Sequence, residues 1–363
     1  TATDAQNKAA ANIGIGRTAL DALTVADYNV AIGQNAAQSI TTGSQNIAIG
    51  FNALNKSVAA VYNIAIGNNA LKESVSGGSN TAVGWQALNN VNAATGVSNS
   101  GTHNTAVGRS SQQVSTEGRY NTSLGSNSLA FSKTGYDNVA IGYNAFRGGS
   151  SNGAAGGASA DNIGYQNVAV GVDAMKVAKS AKQNVVIGWK AGDALAGNSG
   201  SPNISSFNTL IGSQAGDEIA TGSNNTVIGY NAAASSNAVS NEITLGNSSV
   251  TSLRCADTSI ASISDSRDKT NVSDSTYGLD FVDSLRPVQF TWQRRVLESS
   301  DENHSNNGTT RVGFLAQELQ AAMPNNENSI LDLVYESNPD RLEAKYGNLI
   351  PILTKAIQEL SAA

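Results

Sequence analysis

The 363-residue chain holds a single cysteine, Cys255, so no intrachain disulfide framework is open to it. That thiol reads as a small apolar residue. Histidine is almost as scarce. His103 and His304 are the only two, too few for a histidine-based metal site or a serine–histidine triad. Charged residues make up 14% of the chain, against about 25% in ordinary soluble domains. No run of about 18 apolar residues occurs, so no helix is expected to span a membrane. Thr1–Lys8 carries neither the basic nor the apolar region of a signal peptide. A neutral body with an acidic end also lacks the clustered Lys and Arg of a nucleic-acid binder. No nucleic acid, no membrane insertion, no metal and no cofactor are therefore expected.

What charge there is divides unevenly. Residues 264–363 carry 15 acids and 9 bases, while residues 1–263 carry 13 of each sign and 32 of the 36 glycines. The whole net charge of -6 thus belongs to the C-terminal part. A short charged knot, Ser264-Asp265-Ser266-Arg267-Asp268-Lys269, stands at the boundary.

The long part is one unit copied many times. Asn-x-Ala-Ile-Gly-x-x-Ala recurs, with clear copies at Asn29–Gly33, Asn46–Gly50, Asn63–Gly67 and Asn138–Gly142. Weaker copies lie at Asn121–Gly125 and Asn208–Gly212. The unit glycines fall at 16, 33, 50, 67, 84, 108, 125, 142, 171, 188, 212, 229 and 246. Most gaps are 17 residues; two are 24 and one is 29. A fixed period of this length indicates stacked structural repeats rather than a disordered Gly/Asn tract.

Within a unit, the residues one and three places after Asn share a strand face and are β-branched or aliphatic. The residue between them is usually Ala or Ser, which lets a neighbour approach closely on the other side. Gly then permits a turn. One coil buries too little to offset its ordering entropy, so it must stack. At about 4.8 Å per coil, thirteen coils extend about 60 Å, with the leading Asn side chains bonded rung to rung. The extra residues, within Asn92–His103, Arg147–Gln166 and Ala194–Phe207, are expected to leave the stack as surface loops.

After Gly246 the period stops. Leu279, Val282 and Leu285 predict a short helix ended by Pro287, and Val288, Phe290 and Trp292 alternate as a strand. Glu298–Thr310 reads as a loop. Arg311–Leu315 predicts a strand, Ala316–Met323 a helix stopped by Pro324, and Leu331–Tyr335 and Leu342–Tyr346 further strands. Ile350, Leu353, Ile357 and Leu360 form a coiled-coil seam on a final helix that is marginal without partners.

Two resemblances follow from these motifs. The Asn-x-Ala-Ile-Gly-x-x-Ala units, over about residues 12–249, resemble the head repeats of trimeric autotransporter adhesins, and similar repeats occur in phage tail fibres. A 17-residue unit is longer than the usual adhesin one. The resemblance implies parallel β-rolls packed three around an axis. Ser264–Lys269, Gly313-Phe314-Leu315-Ala316-Gln317-Glu318 and Tyr346-Gly347-Asn348-Leu349-Ile350-Pro351 together resemble the endosialidase-type intramolecular chaperone, or peptidase S74 domain. Members of that family end trimeric phage fibres, drive trimerisation, and cut themselves off before the motif serine.

The fold implied is mainly β: parallel β-roll or β-helix-like coils in a homotrimer, then a small α+β chaperone domain with a short terminal coiled-coil helix. The expected boundaries are an N-terminal segment 1–11, a shaft 12–249, a connector 250–263 and a chaperone 264–363. In the chemistry this implies, Ser264 attacks the Ile263 carbonyl, Lys269 is the base, and the ester is then hydrolysed. Arg267 holds Asp265 or the developing oxyanion, and Glu318 orients the lysine.

The function implied is a structural, receptor-binding tail fibre or spike. It would be made in the host cytoplasm and carried on the virion, touching other tail proteins and a host-surface glycan receptor. A depolymerase spike would need paired acids in a groove, and residues 1–263 scatter theirs singly. A bacterial surface adhesin would want an export signal and an anchor.

Overall fold

The computed structural model describes residues 9–75, 77–90, 101–148, 164–195, 205–256, 264–293, 308–323, 328–336, 338–340 and 342–363. The chain divides into two compact units, Thr1–Asn247 and Ser248–Ala363.

In the first unit every Asn-x-Ala-Ile-Gly copy contributes one three-residue strand, from β1 (Ile13–Ile15) to β13 (Ile243–Leu245). All thirteen form a single parallel sheet in sequence order. Pairing is in register, Ile47 opposite Ile64 and Ala48 opposite Ala65. The insertions do not disturb it, since Thr81 pairs with Thr105 and Val139 with Val168. The mainly β, parallel-coil fold expected from the period is the one observed.

The leading Asn holds successive coils together. Asn29 Oδ1 accepts both the backbone N–H and the Nδ2–H of Asn46, each at 3.0 Å. Asn46 Nδ2 in turn donates to Ala60 O at 2.8 Å. The same pattern crosses the longest insertion, where Asn138 Oδ1 accepts from Asn167 N at 3.0 Å and Nδ2 at 3.1 Å. These amides are buried, so each must be bonded and each is. The row ends at Glu242, whose N–H donates to Asn225 Oδ1 at 3.0 Å. Its carboxylate accepts from Ser235 N and Thr244 Oγ1 instead of passing the row on.

The glycine column enforces the same spacing. Gly50 sits at φ +133°, and a Cβ there would stand 2.6 Å from Gly67 O. No side chain fits between coils at that point.

The sheet's two faces are used differently. The central strand residue points inward: Ala31, Ala48 and Ala65 are fully buried, and Leu54, Leu71 and Leu88 from the following turns fill the space beside them. Later coils exchange the sizes. Leu210 takes a strand centre, and Gly192 and Gly216 stand where earlier coils place leucine. A Cβ on Gly216 would lie 2.9 Å from Leu210 Cδ2, so volume is conserved coil by coil. A polar layer separates two apolar cores. In it Ser111 Oγ bonds Ser123 Oγ at 2.7 Å, and Gln112 Nε2 donates to Asn104 Oδ1 at 3.0 Å.

The first and third residues of each strand point outward, both aliphatic in eight strands and threonine with an aliphatic residue in the other five. Ile47 and Ile64 remain 36% exposed, and Ile187 39%. This stripe runs twelve strand spacings, about 58 Å, and with the aromatics beside it is about 10 Å wide. On the order of 600 Å² of apolar surface is at the top of what a monomer leaves open.

The second unit is a small α+β body. In it α1 (Leu279–Ser284) precedes the antiparallel pair β14 (Val288–Thr291) and β15 (Thr310–Gly313). Next come α2 (Ala316–Ala321), α3 (Asn328–Leu331), the pair β16 (Val334–Tyr335) and β17 (Glu343–Ala344), and α4 (Leu349–Ala362). The strand expected over Leu331–Tyr335 is shortened at its start. Asn328 Nδ2 donates to Val334 O at 2.8 Å and its Oδ1 accepts from Val334 N at 3.0 Å. That clamp, with Asp332 at φ +47°, winds Asn328–Leu331 into a helical turn. The strand expected over Leu342–Tyr346 likewise stops early, because Tyr346–Asn348 tighten into a 3-10 turn. Most of the Glu298–Thr310 loop lies outside the described residues.

α4 is apolar on two sides. Leu349, Ile352 and Ala356 enter the unit's core, whereas Ile350, Leu353, Ile357 and Leu360 remain exposed. The predicted seam is therefore the helix face its own unit leaves unused. Pro351 is tolerated because it falls in the first turn, where N–H groups have no helical partner. Glu359, on the same helix, accepts the Leu279 N–H at 2.7 Å and so caps α1, whose Gly278 supplies no side chain. That bond holds the Glu359 carboxyl below its usual range.

Two outcomes test this account of the shaft. Asn138→Ala removes the acceptor of the buried Asn167 N–H and one donor to the Gly164 carbonyl. A buried orphaned N–H costs about 1–3 kcal/mol, and a denaturant titration should read a loss of about that size. Near the C-terminal end of the stack, burial, reinforced by a hydrogen bond to Asp217, pushes the Glu218 carboxyl up to about 8. An acid raised in this way favours the fold below its unfolded pKa and loses that stabilisation as pH rises through the folded value. The shaft should melt higher at about pH 5 than at about pH 9, and Glu218→Gln should flatten the difference.

Candidate functional site

The charged knot folds into a tight turn. Asp265 opens a 3-10 turn over Ser266–Asp268, its carboxylate accepting the Arg267 N–H at 2.9 Å. The Arg267 side chain closes back on the same carboxylate, with Nε 3.0 Å from Oδ1 and an Nη 2.5 Å from Oδ2. The guanidinium holds the Asp265 carboxyl below its usual range. The turn reverses the chain, and Lys269 leaves it in extended conformation.

This reversal brings together two residues five apart. Lys269 Nζ donates to Ser264 Oγ at 2.5 Å. An amine against a hydroxyl is what an activated serine requires once the amine is neutral, since the hydroxyl proton then has an acceptor. Both side chains are exposed in the single chain.

The other expected site residues sort as follows. Arg267 and Asp265 are brought together, as an exposed ion pair. Glu318 is not brought to Lys269. Its carboxylate is held by Arg286, whose Nε donates to Oε2 at 3.1 Å and whose Nη donates to Oε1. That pair ties α2 to the residues just after α1. Ile263 lies outside the described residues. Among the described residues no group of three His, Cys, Asp or Glu side chains is placed to hold a metal, and no helix is long and apolar enough to cross a membrane.

Sequence reading missed the way the other two motifs interlock. Gly313 opens one and Tyr346 the other. The Tyr346 hydroxyl accepts the Phe314 N–H at 3.2 Å, and the two rings meet edge to face with centroids 5.9 Å apart. A Cβ on Gly313 would stand 2.5 Å from that hydroxyl. Glycine and tyrosine are thus two halves of one contact, 33 residues apart in sequence. Arg286 was also missed, because nothing local to it announces a partner on α2.

Residues 264–326 match the Peptidase_S74 family, described as chaperone of endosialidase. The chain carries that domain directly after the residues that follow its β-solenoid body. No curated protein and no solved structure matches the chain.

The interlock gives a direct test. Gly313→Ala should destabilise the C-terminal unit by about 1–3 kcal/mol, the cost of over-packing a tight contact. Adding Tyr346→Phe, which removes the obstructing oxygen, should recover part of that loss in a double-mutant cycle of unfolding free energies.

Proposed function

We propose that this protein is the structural, receptor-binding shaft of a phage tail fibre or spike, gathered into a homotrimer by a C-terminal domain that then cuts itself off. The observation that carries the reading is the pair of regular apolar surfaces left open in one chain. One is the aliphatic stripe along the thirteen-stranded sheet, and the other is the Ile350, Leu353, Ile357, Leu360 seam of α4. Both are periodic, which suits identical partners meeting in register. The S74 domain supports the same reading.

Self-cleavage follows from the contact in the knot. Lys269 takes the proton from Ser264 Oγ, which attacks the Ile263 carbonyl carbon. The Ile263–Ser264 C–N bond breaks, the proton passes to the departing Ser264 nitrogen, and an ester to Oγ remains. Water then cleaves that ester, leaving a carboxylate on Ile263 and restoring the serine hydroxyl. The exposure of the pair in one chain ties the step to assembly, where neighbouring chains exclude bulk water from it.

A depolymerase is less well supported. Asp217 and Glu218 are neighbours in sequence and the one exception to the single scatter of acids over residues 1–263, and burial raises the Glu218 carboxyl. Glycosidase carboxyls stand about 5–9.5 Å apart, with the sugar between them. On this proposal the protein sits on the virion, after synthesis in the host cytoplasm, and meets other tail proteins and a host-surface glycan.

Intact-mass analysis of the expressed chain should show a break between Ile263 and Ser264, absent in Ser264→Ala and Lys269→Met. Light scattering should give a trimer for wild type and Ser264→Ala, and a monomer for Leu353→Asp/Ile357→Asp. A monomeric, uncut wild-type chain would sink the proposal.

A further inference from the structure

Charge in the shaft is zoned along the stack. Residues 1–107 carry four bases and four acids, residues 108–190 eight bases and four acids, and residues 191–247 four acids and no base. The basic zone is also where aromatic rings stack. Tyr136 and Tyr165 lie face to face with centroids 4.8 Å apart and planes 3° from parallel. Arg119 covers the outer face of one at 5.1 Å, and Lys182 the outer face of the other at 5.0 Å. Backbone bridges Arg119–Tyr136 and Tyr165–Lys182 hold the four residues in one column. Beside it His103 and Tyr120 stack at 5.0 Å, both exposed.

The three insertions attach at this edge. Their described flanks are Asn90 and Gly101, Gly148 and Gly164, and Leu195 and Ser205. Each insertion therefore rejoins the stack within two residues of this column or the one beside it. In the single chain Arg119, His103 and Tyr120 are exposed and Tyr136, Tyr165 and Lys182 half-buried, so the edge is accessible to a ligand.

We infer that this edge, centred on Arg119, Tyr136, Tyr165 and Lys182, is a binding strip for an acidic polysaccharide. The inference rests on the receptor-binding reading above and names the chemistry of the receptor. The ring faces are already occupied by one another and by the two cations, so no base can stack there as in single-strand nucleic-acid binding. What the column turns outward is a guanidinium, an ammonium, ring edges and phenol hydroxyls. Those groups recognise carboxylates or phosphates and the hydroxyls that flank them. Their repetition at the coil spacing suits a polymer lying along the stack better than a small ligand.

The test uses the full chain and four immobilised polymers: polygalacturonate, poly(glycerol phosphate), dextran and oligo-dT. Polygalacturonate or poly(glycerol phosphate) should bind, and which one does identifies carboxylate or phosphate as the anion. Binding should weaken with added salt. Arg119→Gln/Lys182→Gln should lower the affinity at least tenfold with mass and melting temperature unchanged. Arg109→Gln/Lys190→Gln, at the far end of the strands, should leave it unaltered. Equal losses in the two double variants, or oligo-dT binding as tightly, would overturn the inference. So would binding to dextran alone, although that result would leave a glycan-receptor role standing. A chain that assembles and cleaves yet holds none of the polymers also overturns it, because mass and light scattering report on assembly separately.

Discussion

The first unit depends on the buried asparagine. Its oxygen takes two N–H groups from the next coil, and its nitrogen returns one bond to a turn carbonyl in that coil. A three-residue strand makes few backbone bonds, so these extra ones fix both spacing and register. A slip of one residue would bring an aliphatic side chain to the amide row and turn every inward alanine out. The glycine column adds a steric constraint to the polar one, since only a bare Cα lets a coil sit one strand spacing from the next. Attraction and exclusion set the same rise, and insertions are tolerated because neither constraint acts on the residues between.

With the rise fixed, the interior becomes a problem of constant volume. Alanine with leucine fills the early coils, and leucine or valine with glycine fills the later ones. The serine and glutamine layer between the two cores is satisfied mostly by its own hydroxyls and by the asparagine row. The outer face has no such closure. Among the described residues the thirteen strands turn a mostly aliphatic face outward, and α4 repeats the situation in the second unit by burying one apolar face and leaving another. Two units with different folds thus share one property: each is complete inside and incomplete outside.

Much of this was legible in the sequence. The period gave strand positions, parallel order and the asparagine row, because a repeat of fixed length with one invariant polar residue has few ways to stack. The seam of α4 could be read from spacing alone. Which strand face lies inward could not, because Ile-Ala-Ile fits either orientation until leucine from the turn is seen to share space with alanine. The contacts of Glu318 with Arg286 and Gly313 with Tyr346 join residues about 30 apart through tertiary packing. Tyr136 and Tyr165 become neighbours only when the longest insertion is removed from the count. The Asn328 clamp defeated the strand expected at Leu331 because an asparagine side chain can substitute for a backbone partner and wind the chain locally.

The open outer faces bear on folding as well as on assembly. In the first unit, neighbouring strands are at least 17 residues apart, and an isolated coil buries too little to persist. Such a stack grows by adding coils to an existing edge, and that edge accepts a coil from another chain as readily as its own. Holding three chains by a separately folding C-terminal unit raises their effective concentration and starts all three from the same end. The S74 domain at 264–326 is placed for that role on the proposed reading. Cutting after assembly would then remove the element that lowered the barrier to stacking. What remained would be protected by the slowness of unfolding, because thirteen interlocked coils must open against both the asparagine row and the neighbouring chains. On this view cleavage makes assembly irreversible, and the exposed Ser264–Lys269 contact in a lone chain is the expected resting arrangement of a site that acts only once its partners are in place.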